Sequence, residues 1–216
     1  PEGWLTLAGV MEASAANPGA TIDEGAISAL MYTSGTTGPP KGVVNRYQGM
    51  NVAAIRMFGA ILKPDDVLYS CLPLFHANAL FLTTVRALVM GLPMALSRRF
   101  SASRFWDEIR RYGATTFNAL GAMIPILMKQ PERPDDADNP VRVVFSAACP
   151  ASVWAEFERR FAVEIVEGYG AVDGAGFGVV NTGDAPKGSF GKPQSPIRIV
   201  DDHGEEVAEG EPGELL

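Results

Sequence analysis

Cysteine and histidine are scarce here, with two of each in 216 residues. Cys71 and Cys149 sit inside apolar stretches, which argues against a disulfide framework or a cysteine-based metal site and fits buried thiols in a reducing compartment. The cytoplasm is the expected location. No run of Lys or Arg offsets a net charge of −7, so the field repels polyanions, and nucleic acid or an anionic membrane is not an expected partner. Long apolar runs are missing too. "ALVMGLPMAL", Ala87 to Leu96, is broken by Gly91 and Pro93 and falls short of the ~18 residues a membrane span needs. There is no internal repeat and no low-complexity tract.

What remains is 47% hydrophobic, with 23 Gly and 16 Pro spread along the chain, the composition of one sizeable globular domain or a little more. Because the sequence starts at Pro1 and stops at Leu216 inside the apolar "GELL", a piece of a longer polypeptide is expected.

Periodicity predicts an alternation of strands and helices. Ile27 to Thr33 reads as a strand, and Tyr47 to Leu62 as a helix with Met50, Ala54, Met57, Phe58 and Ile61 on one face. "VLYSCLP", "PMALS", "ATTFN", "VRVVFSA" and "VEIVEG" read as further strands. Between them, helices are expected over Ala79 to Met90, over a segment capped by Ser101, bearing Phe105, Ile109 and Tyr112 and ended by Gly113, over Gly121 to Lys129, and over Pro150 to Phe161. The fold class is therefore α/β, mostly parallel sheet flanked by helices. Past Phe177 the chain turns to short strands and Gly/Pro turns, and "IRIVDDHGEEV" reads as a hairpin turning at Asp202, His203 and Gly204. The expected division is residues 1–176 for the α/β part and 177–216 for the start of a β subdomain.

In such sheets ligands bind at the carboxyl ends of strands. The stretch "YTSGTTGPPKG", Tyr32 to Gly42, combines inward-turning Gly amides, four Ser/Thr hydroxyls and the cation of Lys41, which suits a phosphate chain. It is not a Walker A loop. Pro40 takes the place of that motif's second Gly and Gly42 that of its Mg²⁺-binding Ser/Thr. On composition alone, a flexible surface loop is the plain alternative.

The same stretch resembles the phosphate loop of the adenylate-forming (AMP-binding) superfamily, and three more matches follow in order: "PLFHANAL" from Pro73, "FSAACPA" from Phe145 and "EGYGAVDG" from Glu167. The wording around them, including "NALGAMIPILMKQP", is most similar to ligases of the crotonobetaine/carnitine-CoA type. The resemblance implies an acyl-CoA synthetase-like large domain, continued beyond Leu216 by a mobile domain that carries a ribose-binding Asp, a hinge and a catalytic Lys. It implies ATP, Mg²⁺, coenzyme A and a small carboxylic acid as cofactors and partners, with the acid activated as an acyl-adenylate and passed to the thiol.

Carried over residue by residue, the resemblance puts Thr33, Ser34, Gly35, Thr36, Thr37, Gly38 and Lys41 around the phosphates. Ala147, Ala148, Gly168, Tyr169 and Gly170 fall beside the adenine, Thr33 and Asp173 at Mg²⁺, and His76 beside the acid carboxylate, with His76, Lys41 and Asp173 as the catalytic set. Taken without the resemblance, His76 is better explained as a core histidine with one satisfied nitrogen. On position, Phe75, His76, Asn78, Phe117, Gly121, Ala122, Met123, Val166 and Phe177 are candidates for the acid pocket, although Phe117 and Met123 serve equally well as core. Two positions depart from the family pattern. Val172 replaces a Thr that donates to the α-phosphate, and Asp173 replaces the Glu that holds the metal. Other readings stay open: a non-catalytic nucleotide- or acyl-binding relative, an adenylating enzyme with another thiol acceptor, or an unrelated phosphohydrolase.

Overall fold

The computed structural model describes residues 25–33, 38–46, 61–172, 176–193 and 196–216, with scattered positions between 9 and 23. Strands β1 (Ile27–Thr33) and β2 (Lys41–Arg46) form an antiparallel pair, with Thr33 opposite Lys41 and Tyr32 opposite Gly42. This corrects the expected order of strand, loop and helix: the Gly/Thr-rich loop closes a hairpin. The adjacent β-branched Val43 and Val44 favour a strand. Pro39, Pro40 and Lys41 masked that signal in the sequence. Among the described residues the element that follows this loop is β2, a strand, and not a helix N-terminus. The helix expected from Tyr47 falls, up to residue 60, outside the described residues.

The main sheet runs β4-β3-β5-β6-β7-β8-β9. Strands β3 (Leu68–Ser70), β4 (Met94–Leu96), β5 (Thr116–Leu120), β6 (Val143–Ala147) and β7 (Glu164–Ala171) are all parallel. Their connections hold a π-helix (Asn78–Val85) running into α1 (Arg86–Met90), then α2 (Phe105–Tyr112), α3 (Met123–Met128) and α4 (Ala151–Phe161). Alternation along the strands feeds two cores. Phe117, Ala119, Val144 and Ile165 face an aromatic-rich layer with Phe105, Trp106, Trp154, Phe157 and Phe161, while Val143, Phe145 and Val166 face Leu62, Leu68, Leu82 and Ala87. Burial on both faces explains why these strands read as unbroken apolar runs.

Several expectations shift in detail. The Ala79 to Met90 helix exists, but its first part is a π-helix. Ser101 does not cap α2 with its side chain; its carbonyl accepts from the Arg104 amide in a turn. The buried face of α2 carries Phe105, Trp106 and Ile109, whereas Tyr112 is exposed next to Gly113, whose φ of 61° ends the helix in the left-handed region.

The boundary expected at residue 177 lies inside the sheet. Strand β8 (Gly176–Asn181) pairs antiparallel with β7 and β9 (Lys192–Pro193) antiparallel with β8, while β10 (Ile199–Val200) and β11 (Glu214–Leu215) form a separate small sheet. Gly and Pro turns hid the continuation. The hairpin at Asp202, His203 and Gly204 is present, with His203 exposed and Val200 bridged to Glu206.

The amino-terminal edge of the parallel strands is pinned by ion pairs. Asp66, nearly inaccessible, accepts from Arg142 Nε at 2.9 Å, Thr115 Oγ1 at 2.7 Å and the Lys63 amide at 2.6 Å. Arg160 Nε reaches Asp136 at 2.7 Å, both buried. These pairs lie at the edge opposite the strand ends that carry Pro73 to His76, Gly121, Ala148 and Gly168 to Gly170.

Candidate active site

Three of the four expected motifs emerge at carboxyl ends of parallel strands, and the fourth spans the antiparallel β1–β2 pair. The turn from Pro73 to His76 follows β3, Gly121 and Ala122 follow β5, Ala147 and Ala148 close β6, and Gly168, Tyr169 and Gly170 end β7. Hydrogen bonds tie neighbouring ends together. The Gly121 amide, at φ 47°, donates to the Ala147 carbonyl at 2.9 Å. Ala148 takes φ 71°, an uncommon conformation for a residue with a Cβ. It is held there by Glu167, whose two carboxylate oxygens accept the amides of Ala148 and, at 3.1 Å, Cys149. Glu167 is 2% exposed, and burial pushes its carboxyl above the ordinary glutamate range, only partly offset by the hydroxyl of Ser146 and those two amides. Burial likewise lifts the Cys149 thiol to about 12, so it is not a ready nucleophile.

His76 is exposed at the start of the π-helix. Its amide donates to Pro73 O at 3.0 Å, its carbonyl accepts from the Leu80 amide at 3.0 Å, and its Nδ1 accepts from the Asn78 amide at 3.3 Å. The reading of His76 as a core histidine is therefore corrected. Phe75, 83% exposed, projects beside it. Asn78 is a correction of another kind: its side chain is buried and its oxygen is engaged by Asn118 Nδ2 at 2.7 Å, so it does not face a pocket with a free polar group. Val166, Phe117 and Met123 are core residues, 6%, 1% and 6% exposed. Gly121 and Ala122 stay exposed at the end of β5. The Phe177 side chain falls outside the described residues.

A third apolar cluster joins three motifs. Met31 of β1, Ala77 and Phe81 after His76, and Val172 after β7 pack together. The phosphate-loop hairpin, the histidine turn and the end of β7 thus converge on one side of the sheet. In the hairpin, Lys41 and Gly38 are exposed and Thr33 is partly buried, while Ser34, Gly35, Thr36 and Thr37 lie outside the described residues, as does Asp173. Tyr169 is 38% exposed with Phe190 5.5 Å away, and the β7–β8 register shifts between Tyr169 and Gly170, an irregularity of the kind that re-aims a side chain. Among the described residues no cluster of three His, Cys, Asp or Glu forms a metal cage. Thr33 offers one hard oxygen, which fits an ion such as Mg²⁺ that keeps most of its coordination to phosphate and water.

Two contributors were not singled out from the sequence: Glu167 as the acceptor for the β6 loop, and Asn118 with Thr83 beneath the histidine turn. Their signal was a polar residue inside an apolar strand, Glu167 in "VEIVEG" and Asn118 in "ATTFN".

The model of the AMP-binding enzyme family matches residues 4–216. This chain belongs to that family. It is 40% identical over 191 residues to the medium/long-chain-fatty-acid–CoA ligase FadD17 of Mycobacterium marinum, covering 87% of this chain and 37% of that protein. It is also 40% identical over 201 residues to the steroid-22-oyl-CoA synthetase of Rhodococcus jostii, covering 91% of this chain and 35% of that protein. The chain therefore spans little more than a third of these relatives' length. Among solved structures, the anthranilate CoA ligase AuaEII in complex with anthranoyl-AMP superposes with a TM-score of 0.85 over 100% of this chain and 43% of that one, at 24% identity, a likeness of fold.

Proposed function

We propose that the chain is the nucleotide- and acid-binding part of an ATP-dependent acyl-CoA ligase. The observation that carries this reading is that three family motifs stand on the carboxyl edge of one parallel sheet, and that the β1–β2 hairpin with the fourth packs against two of them through Met31. The carboxylate oxygen of the acid attacks the α-phosphorus of ATP, the bond to pyrophosphate breaks, and an acyl-adenylate forms. The sulfur of coenzyme A then attacks the acyl carbon and AMP leaves.

The physical obstacle in the first half-reaction is the approach of one anion to another. Lys41, Gly38, Thr33 and the loop residues Ser34, Gly35, Thr36 and Thr37 are assigned to the phosphates, where fixed donors stabilise the charge that gathers on departing pyrophosphate. Mg²⁺, held by Thr33 and Asp173, would supply charge neutralisation there. Tyr169, between Gly168 and Gly170, offers its ring to the adenine, and Ala147 and Ala148 bring the β6 edge against it. His76 stands beside the acid carboxylate. Phe75, Gly121 and Ala122 border the acid.

Those bordering residues are apolar and carry no anion, which favours a long apolar acid over one with a quaternary ammonium, whose recognition calls for an aromatic cage or a counter-charge. This favours a fatty or steroid-derived acid and moves the substrate away from the crotonobetaine/carnitine type. No helix among the described residues is long and apolar enough to cross a membrane; a cytoplasmic location is proposed with the activity. Incubating the intact protein with ATP, Mg²⁺, coenzyme A and lauric or palmitic acid, and following acyl-AMP and acyl-CoA by mass spectrometry, tests the reading. Both species are expected. ATP hydrolysis without acid would point instead to a phosphohydrolase.

One observation favours a second reading. Val172 packs in an apolar cluster and cannot donate to a phosphate, as in a relative that binds nucleotide without turning it over; saturable ATP binding with no adenylate from any acid would select it.

A further inference from the structure

Beneath the histidine turn lies a buried polar group that the proposed reaction does not use directly. Asn118 at the middle of β5 is 4% exposed, Asn78 8% and Thr83 1%. Asn118 Nδ2 donates both its hydrogens, to Asn78 Oδ1 at 2.7 Å and to Thr83 Oγ1 at 3.0 Å. In an α-helix, residues five apart stand about 140° apart around the axis, so one amide could not reach both. The π-helix brings them onto one side, because its turns close between residues five apart. The Arg86 amide to Phe81 O and Thr84 Oγ1 to Ala79 O are bonds of that span. The unusual helix and the Asn118 fork therefore explain each other.

What the fork holds is the first turn of that helix. The Asn78 amide is aimed at His76 Nδ1, and a nitrogen that accepts a hydrogen bond carries no proton. The proton of the neutral ring is then on Nε2, the nitrogen not engaged by the backbone. Resting on the reading that His76 meets the acid, we propose that Asn118 is a positioning residue: by fixing Asn78 it sets the His76 tautomer, so that Nε2–H faces the incoming carboxylate.

The test is spectroscopic and needs no substrate. The sequence holds only His76 and His203, so long-range ¹H–¹⁵N correlation on the ¹⁵N-labelled protein resolves both, and exposed His203 serves as the internal standard. Above the ordinary histidine range, the Nε2–H to Nδ1–H ratio of His76 is expected to exceed that of His203 about fivefold, the factor one neutral hydrogen bond supplies. Asn118→Leu should bring the ratio down to that of His203, and Thr83→Val, a milder change, to an intermediate value. Equal ratios for His76 and His203 in the wild-type protein overturn the proposal whatever the variants do, and so does a folded Asn118→Leu or Thr83→Val protein that keeps the wild-type ratio. Because the ratio is read without ATP or acid, absence of ligase activity would remove the proposed function and leave this result standing.

Discussion

Replacing Glu167 by Ala removes the acceptor of two adjacent amides at the end of β6. The Ala148 amide belongs to an exposed residue and can turn to water, but Cys149 is buried, and a stranded buried amide costs about 1–3 kcal/mol. Ala148 is at φ 71°, a conformation that costs a non-glycine residue about 1–2 kcal/mol, and without the carboxylate the loop is free to relax out of it. We therefore expect a net loss of no more than about 1–3 kcal/mol in urea unfolding, reduced by whatever strain the loop releases, together with a weaker affinity for ATP, since the loop that relaxes is the one assigned to the adenine. Glu167→Gln keeps the volume but offers one oxygen to two amides and should lose about half as much. The pH dependence has a defined sign. The folded-state carboxyl is raised, so the stability it contributes is full below the ordinary glutamate range and is lost as pH rises through the raised value; the deficit of Glu167→Gln should shrink over that interval. A Glu167→Ala protein as stable as wild type, with unchanged ATP affinity, would show that the loop is held by something else.

Other outcomes follow from particular contacts. Asp66→Ala should cost about 1–3 kcal/mol, since it removes the shared acceptor of Arg142, Thr115 and the Lys63 amide, while Arg142 is exposed enough to turn to water. Burial would raise the Asp66 carboxyl, but Arg142, the Lys63 amide and Thr115 outweigh it and hold it below the ordinary range, so its contribution is present at neutral pH and disappears as pH falls through the lowered value; Asp66→Asn should flatten the acid limb of the stability curve. Cys71 and Cys149, both buried and pushed up to about 12, should react slowly with a thiol reagent at pH 8 in the native protein and fully in denaturant. Val172→Thr puts a hydroxyl against Met31 and Phe81, so a loss of about 1 kcal/mol is expected with a faster rate of adenylate formation; an unchanged rate would rule out the missing donor as a limitation.

The sequence exposed the parallel sheet because burial on both faces writes itself as runs such as Val143 to Phe145, and it exposed the site because loops at strand ends carry short motifs with unusual glycines and hydroxyls. It misplaced the context of the first motif. Nothing in "GPPKG" separates a loop entering a helix from one closing a hairpin, since the deciding fact is the pairing of Thr33 with Lys41 across the loop. That β8 and β9 join the main sheet was not legible for a related reason: membership of a sheet is set by pairing, here β8 with β7 and β9 with β8, which no local pattern reports. Asn118 on β5 lies 40 positions from Asn78 and 35 from Thr83, and no local pattern reports that they share one hydrogen-bonded group.

The central claim is that the carboxyl edge of this sheet activates an acid with ATP, and acid-dependent ATP–pyrophosphate exchange measures that step alone. In the intact protein, exchange should appear on adding a medium- or long-chain fatty acid and should fall by at least about tenfold in Lys41→Ala, with stability changed by no more than about 0.5 kcal/mol because Lys41 is exposed. Exchange absent with every acid, or equally fast without Lys41, would contradict the account.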